Sequence, residues 1–371
     1  MEPLAPHEKL WVDTDFMDED ENHGSIPCHE CHGGNPSDGN WKTAHKGVVK
    51  DPTWPDAGKA CGECHEEIVE VYKTSLHATT KPIALSIAKR ANPDKAIHAK
   101  LDEARKLHCS SCHSSCGQCH ISRPDSVEGG FLDGHIFQKT PPMRTTCTAC
   151  HGARVEKEYF GLNEGVPPDV HWKKKYMSCK KCHSGTEMHG DGKKYANRFE
   201  VESRTKCVDC HKDIYSEKAA NAEVHENHKN TVSCQACHAM PYKNCFACHT
   251  AKDKNGQPYF QTEPSRIEFK IGLNPLKSKD RPEKFVTLRH VPVDQGTFDF
   301  YVKNGLSNFD KVPNWKLATP HTIQLKTPQN QDCNACHGND KLFLKKKDVK
   351  QKYLRANQGV IVPAEMIPEE Q

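Results

Sequence analysis

Ten short stretches of this chain carry the same residue types at the same spacing. Each reads Cys-x-x-Cys-His: Cys28/Cys31/His32, Cys61/Cys64/His65, Cys109/Cys112/His113, Cys116/Cys119/His120, Cys147/Cys150/His151, Cys179/Cys182/His183, Cys207/Cys210/His211, Cys234/Cys237/His238, Cys245/Cys248/His249 and Cys333/Cys336/His337. All 20 cysteines fall in these pairs. Three chemistries use two cysteines so spaced. A zinc site needs two such pairs, or one pair with histidines further off. A redox dithiol usually comes singly. Covalent attachment of c-type haem needs a histidine directly after the second cysteine. Histidine makes up 24 of 371 residues, so ten in ten by chance has odds on the order of 10⁻¹². That number sets the zinc and dithiol readings aside. Two thioether bonds would hold each porphyrin edge, and the motif histidine would give its imidazole to the iron. Ten motifs imply ten covalent haem c groups, with the 20 cysteines binding the cofactor and the ten motif histidines binding its metal.

Fourteen further histidines remain, enough for a second axial ligand on every iron. Six-coordinate bis-His haem is low-spin and closed, which favours electron transfer over substrate binding. The expected second ligands are His7, His23, His45, His77, His135, His171, His189, His225, His228, His290 and His321. His23, His135, His171, His228 and His321 each precede a motif by 5 to 12 residues. His225 and His228 lie three apart, on one helical face. His7 sits in a terminal segment from which it could reach another subunit. His29 lies inside a motif, His108 abuts Cys109, and His98 flanks a helical stripe, so these three are weaker candidates. Which histidine would face which motif is not readable from spacing.

The elements that must position these residues are short. The chain has 23 Gly and 24 Pro, and motif starts follow one another at steps of 7 to 88 residues, which leaves little room for long elements. About 37 residues serve each motif, so neighbouring haem centres average no more than about 22 Å apart. One helix is signalled by Asn92 as cap, Pro93 in the first turn and a stripe of Ile97, Leu101, Ala104 and Leu107. A second is expected over 66–76. Three domains follow in sequence. Residues 1–250 form a haem-dense array with nine motifs. Residues 251–332 form a haem-free, β-containing insertion, with strands expected in "RIEFKIGL", "KFVTLRHVPV" and "TFDFYV". Residues 333–371 hold the last motif and a basic C-terminal tail. His113 and His120 are seven residues apart, so their irons are at most about 25 Å apart, and we expect them to be nearest neighbours.

Net charge is +3, which makes no case for a nucleic-acid partner. Each oxidised haem adds about −1, so the loaded protein would carry about −7. No apolar run approaches the roughly 18 residues of a membrane span. The opening "MEPLAPHEKLW" lacks the basic start and apolar core of an export signal. Haem attachment to two thiols takes place outside the cytoplasm, so an exported protein numbered from its mature end is expected, extracellular or at the cell surface, or in the periplasm.

The run "SCGQCHISRPDSVEGGFLDGHIF", the "DVHW" before Cys179 and the block "HENHKNTVSCQACHAMPYKNCFACH" resemble exported multihaem c-type cytochromes of metal- and mineral-respiring prokaryotes. The resemblance covers most of residues 20–250. It implies a multihaem cytochrome c fold, mostly irregular with short α-helices and a minor β-containing insertion, whose core is built of stacked haems. It also implies electron transport to extracellular acceptors or other redox proteins. Some members form nanowire filaments, homopolymers in which one subunit lends a histidine to a haem of the next. The competing expectation is a multihaem oxidoreductase of the nitrite, hydroxylamine, tetrathionate or sulfite type. That enzyme would need one open-site haem and a polar pocket over it, yet every motif has a histidine in the proximal place.

Overall fold

The structure is a computed structural model and describes residues 4–9, 11–12, 15–112, 114–242, 245–265, 268–291 and 294–370. The chain forms two compact units, each woven from separated segments. The first comprises 1–82, 109–153 and 178–204; the second comprises 83–108, 154–177 and 205–371. Six motifs belong to the first unit and four to the second. The seventh and eighth motifs thus share a unit with both the 251–332 insertion and the tail, across the linear division into 1–250, 251–332 and 333–371.

Regular structure in the first unit is brief. Helices span Cys28–His32, Glu66–Tyr72, Leu76–Thr79 and Cys116–His120. The helix expected over 66–76 breaks after Tyr72, and Ser75 caps the next turn by accepting from the Ala78 amide. The Ser114–Ser115 linker is tied down by its neighbours. The Tyr72 hydroxyl donates to the Ser114 carbonyl at 2.6 Å. Ser115 caps the fourth motif by accepting from the Gln118 amide at 3.2 Å and donates to Asp51 at 2.8 Å.

The second unit holds the expected long helix, Lys95–Cys109. Leu101 and Ala104 are buried as the stripe predicts, but Leu107 is exposed and His108 is buried in its place. The stripe drifts because 3.6 residues per turn carries position 108, four after Ala104, onto the same face. The insertion holds two sheets. β1 (Cys245–Lys252) and β2 (Pro258–Ser265) form an antiparallel hairpin. β3 (Phe269–Leu273), β4 (Phe285–His290) and β5 (Trp315–Leu317) form an antiparallel sheet with β4 central. Two of the three expected strands are present, trimmed at their ends. "TFDFYV" is instead a run of turns, held by Thr297, whose amide and hydroxyl both donate to the Asp294 carbonyl.

This sheet carries motifs. Phe285 of β4 exchanges backbone bonds with Thr231 and Ser233, just before the eighth motif. Ala236 inside that motif joins Ile271, Phe285, Phe343 and Val362 in one apolar core, with Cys336 of the tenth motif packed against it. Gly272 of β3 lies so close to Leu288 and the Val360 carbonyl that a β-carbon there would collide with both. Among the described residues no helix is long and apolar enough to cross a membrane.

Candidate functional site

Eight motifs fold as a helical turn or a short helix, and a ninth, at Cys61–His65, as a turn with the His65 amide donating to the Cys61 carbonyl at 2.7 Å. The reason is geometric: in a helical turn residues i, i+3 and i+4 share a face, so both cysteines and the histidine present to one side.

Cys182 follows that arrangement through a 3-10 turn, and Cys248 does not. The half-buried Cys182 closes a tight 3-10 turn, its amide donating to the Cys179 carbonyl at 3.1 Å. Residues three apart eclipse in such a turn, so Cys182 still stands beside Cys179. Cys248 sits in a different backbone setting. It is exposed and lies within β1, paired with Thr262, while His249 pairs with Gln261. Three strand rises of about 3.3 Å separate positions 245 and 248 by about 10 Å, against about 4.5 Å in a helix. The backbone of this motif is therefore extended where the other motifs turn.

Seven motif histidines each face a second histidine across a gap of constant width. In the first unit the pairs are His23 with His65 at 6.4 Å between ring centroids, His135 with His32 at 6.0 Å, His77 with His151 at 6.4 Å and His189 with His120 at 6.1 Å. In the second they are His171 with His211 at 6.1 Å, His225 with His238 at 6.4 Å and His228 with His337 at 6.2 Å. A metal–imidazole bond is about 2.0–2.1 Å and the ring centre lies about 1.1 Å behind its nitrogen, so two imidazoles on opposite sides of one metal stand about 6.2–6.4 Å apart. Direct van der Waals stacking would bring them much closer, as His23 and Phe137 show at 3.9 Å. The pairs therefore fit one iron between each two rings.

The ring nitrogens agree with this. Metal-bound histidines commonly donate the other ring N–H to a carbonyl or carboxylate. Nδ1 donates to a backbone carbonyl in His32, to Val49 at 2.7 Å, in His120, to Gln138 at 2.7 Å, in His238, to Gln324 at 3.0 Å, and in His337, to Glu369 at 3.1 Å. His225 and His228 donate to the carbonyls of Asn221 and Val224, four residues back on their own helix. His23 and His171 donate to Asp20 and Asp169, and His183 to Glu187. Nε2 is left for a metal. His171 and His183 are both raised by these carboxylate bonds, whereas burial lowers His77, His135 and His189.

The remaining candidates sort by the same test. His45 has the ligand-like anchor, Nδ1 to the Trp41 carbonyl at 2.7 Å. His7 lies exposed in a turn. His290 has its Nε2 at 3.1 Å from the Asn314 amide nitrogen, and the buried His108 has its Nε2 at 2.8 Å from the Tyr301 hydroxyl, so neither turns that nitrogen to a motif. His321 packs on Glu158, a fully buried carboxylate. Burial pushes Glu158 up, but His321, the nearby Arg154 and Tyr242 outweigh it and hold the carboxyl at about 2. His113, expected as a ligand, lies outside the described residues.

Sulfurs of different motifs also meet. Side-chain hydrogen bonds join Cys61 to Cys116, Cys112 to Cys150 and Cys147 to Cys179 in the first unit, and Cys207 to Cys234 in the second. Cys119 lies beside Cys147 and Cys150, where burial pushes its thiol up to about 12, and Cys237 lies beside Cys336, pushed up to about 11. The spatial order of motifs therefore departs from chain order: the third and fourth both abut the fifth, and the eighth abuts the tenth.

With that geometry in hand, the chain was compared with known proteins. Residues 60–152 match the family described as Cytochrome c554 and c-prime. The matched segment runs through four motifs, from Cys61 to His151. It supports a multihaem c-type cytochrome with covalently bound haem c, and haem-based electron transfer in general. No curated protein and no solved structure matches the chain. Spacing alone did not reveal the Nδ1 acceptors. Asp20 and Asp169 had a signal in an aspartate two or three residues ahead of a histidine; the backbone carbonyls had none, since they depend on which distant loop arrives.

Proposed function

We propose that this chain is an electron conduit: an exported protein carrying respiratory electrons through a closely spaced chain of ten covalent, mainly bis-His c-type haems to extracellular acceptors or other redox proteins. The observation that supports it best is the set of seven imidazole pairs, each held at 6.0–6.4 Å. The group held there supplies reversible one-electron chemistry at iron. The protein's part is to hold two imidazoles on one axis, to orient them through Nδ1, and to bring neighbouring motifs within contact so that no gap in the array is wide. We further propose that copies assemble into a filament, with a histidine such as His7 available to a neighbouring subunit. The test is spectroscopic and compositional. Purified loaded protein should show ten haems per chain and low-spin ferric iron throughout, and electron micrographs of secreted material should show fibres. Fewer than seven low-spin irons would sink the conduit reading; monodisperse particles would sink the filament.

One observation favours the second reading, an oxidoreductase with one open-site haem. His249 has a buried Nε2 with no hydrogen-bond partner among the described residues, in the motif that is not in a helical turn. A single high-spin signal that shifts on adding nitrite or hydroxylamine would favour it.

A further inference from the structure

Two of the seven paired sites rest on a buried aspartate, in the same way as each other. Asp20 and Asp169 are buried carboxylates, 9% and 2% exposed. Oδ1 of Asp20 accepts both the His23 amide and His23 Nδ1 at 3.0 Å, while Oδ2 accepts the distant Phe137 amide at 3.1 Å. Oδ1 of Asp169 accepts the His171 amide at 2.9 Å and His171 Nδ1 at 2.8 Å, while Oδ2 accepts the distant Ile323 amide at 2.8 Å. One constellation is thus built twice, once in each unit. By contrast His32, His120, His225, His228, His238 and His337 give Nδ1 to neutral backbone carbonyls.

The difference is a full charge against a dipole. A carboxylate on Nδ1 raises the basicity of the imidazole at Nε2 and places a negative charge near the metal, where water is scarce and screening weak. Both effects favour the ferric over the ferrous state. We propose that Asp20 and Asp169 are positioning residues that give the His23/His65 and His171/His211 sites lower reduction potentials than the four paired sites whose histidines rest on backbone carbonyls. The inference rests on the conduit reading, since it requires iron between those rings. It gives each unit at least one station that resists reduction, with His183 on Glu187 a further carboxylate-anchored ligand in the first unit, so electrons entering a unit settle elsewhere in the array first.

The test uses the loaded full-length protein and the neutral isosteres Asp20→Asn and Asp169→Asn. In each, one haem's share of the absorbance change, at the most negative end of a redox titration, should move upward. The expected size is about tenfold in the reduced-to-oxidised ratio, which is about 59 mV for one electron, with the low-spin spectrum retained. Titrations superimposable on wild type would overturn the proposal. If Asp169→Asn loses low-spin ligation, Asp20→Asn in the other unit decides; loss of ligation in both overturns it, because the carboxylates would then hold the site rather than tune it. Peptide mass spectrometry separates the two levels. Haem absent from Cys61–Cys64 or Cys207–Cys210 overturns the conduit reading and this inference with it. Haem present with unmoved titrations overturns this inference alone.

Discussion

At the scale of single residues, the distinguishing feature of a candidate ligand here is the direction of its two ring nitrogens. Replacing a paired histidine such as His225 or His228 by alanine should open one iron in ten and produce a high-spin component; the exposed His98 should be replaceable without one. Electron paramagnetic resonance of the oxidised protein reads both. His228→Met should instead keep the iron six-coordinate and raise its potential. Glu158 makes a different prediction. Its carboxyl is held at about 2 in the fold, below the ordinary carboxylate value, so its ionised form stabilises the protein above about pH 4.5. That contribution, roughly 3 kcal/mol from the size of the depression, is lost as pH falls from about 4.5 toward 2. Acid unfolding of Glu158→Gln should lose this pH dependence, and the variant should be less stable at pH 7 because Arg154, 2.7 Å from Glu158, would be left without its charge partner.

At the scale of elements, short pieces work because each is braced by a remote segment. Leu288 of β4 is fully buried, and β4 holds the chain entering the eighth motif. Leu288→Ala should cost about 2–5 kcal/mol and loosen that unit, measurable by denaturant unfolding followed at the haem absorbance. Ser115→Ala removes a cap and a bond to Asp51 and should cost about 1 kcal/mol, with ligation at His120 intact because His120 is also held through Gln138. The helix Lys95–Cys109 was readable in advance because it is long and its apolar positions recur at helical spacing. "TFDFYV" misled because alternating apolar residues describe a half-buried surface, which turns packed by Asp294 and Thr297 satisfy equally well. The strand through Cys248 was not readable either, because its motif is spelled like the nine that turn and only the pairing with β2 draws it out.

At the scale of the whole molecule, one apolar cluster among the described residues, around Ile271, Phe285, Phe343 and Val362, lies in the second unit. If every motif carries a haem as proposed, the loaded protein should migrate as an anion at pH 7, since ten haems would turn a formal +3 into about −7; isoelectric focusing of the loaded protein beside the haem-free polypeptide checks it. A loaded protein that remains cationic would mean far fewer haems than motifs.

Ten Cys-x-x-Cys-His motifs and an excess of histidines are local facts. They pointed to the cofactor class and the candidate ligands without any fold, because the motif that signals covalent haem c is confined to five consecutive residues. Pairing is not local. His135 meets His32 and His189 meets His120 only because chain segments more than 60 residues apart fold onto one another, and no spacing rule encodes that. Tertiary structure alone decided which imidazoles face each other, which rest on a carboxylate and which on a carbonyl, and that the third and fourth motifs both lie against the fifth.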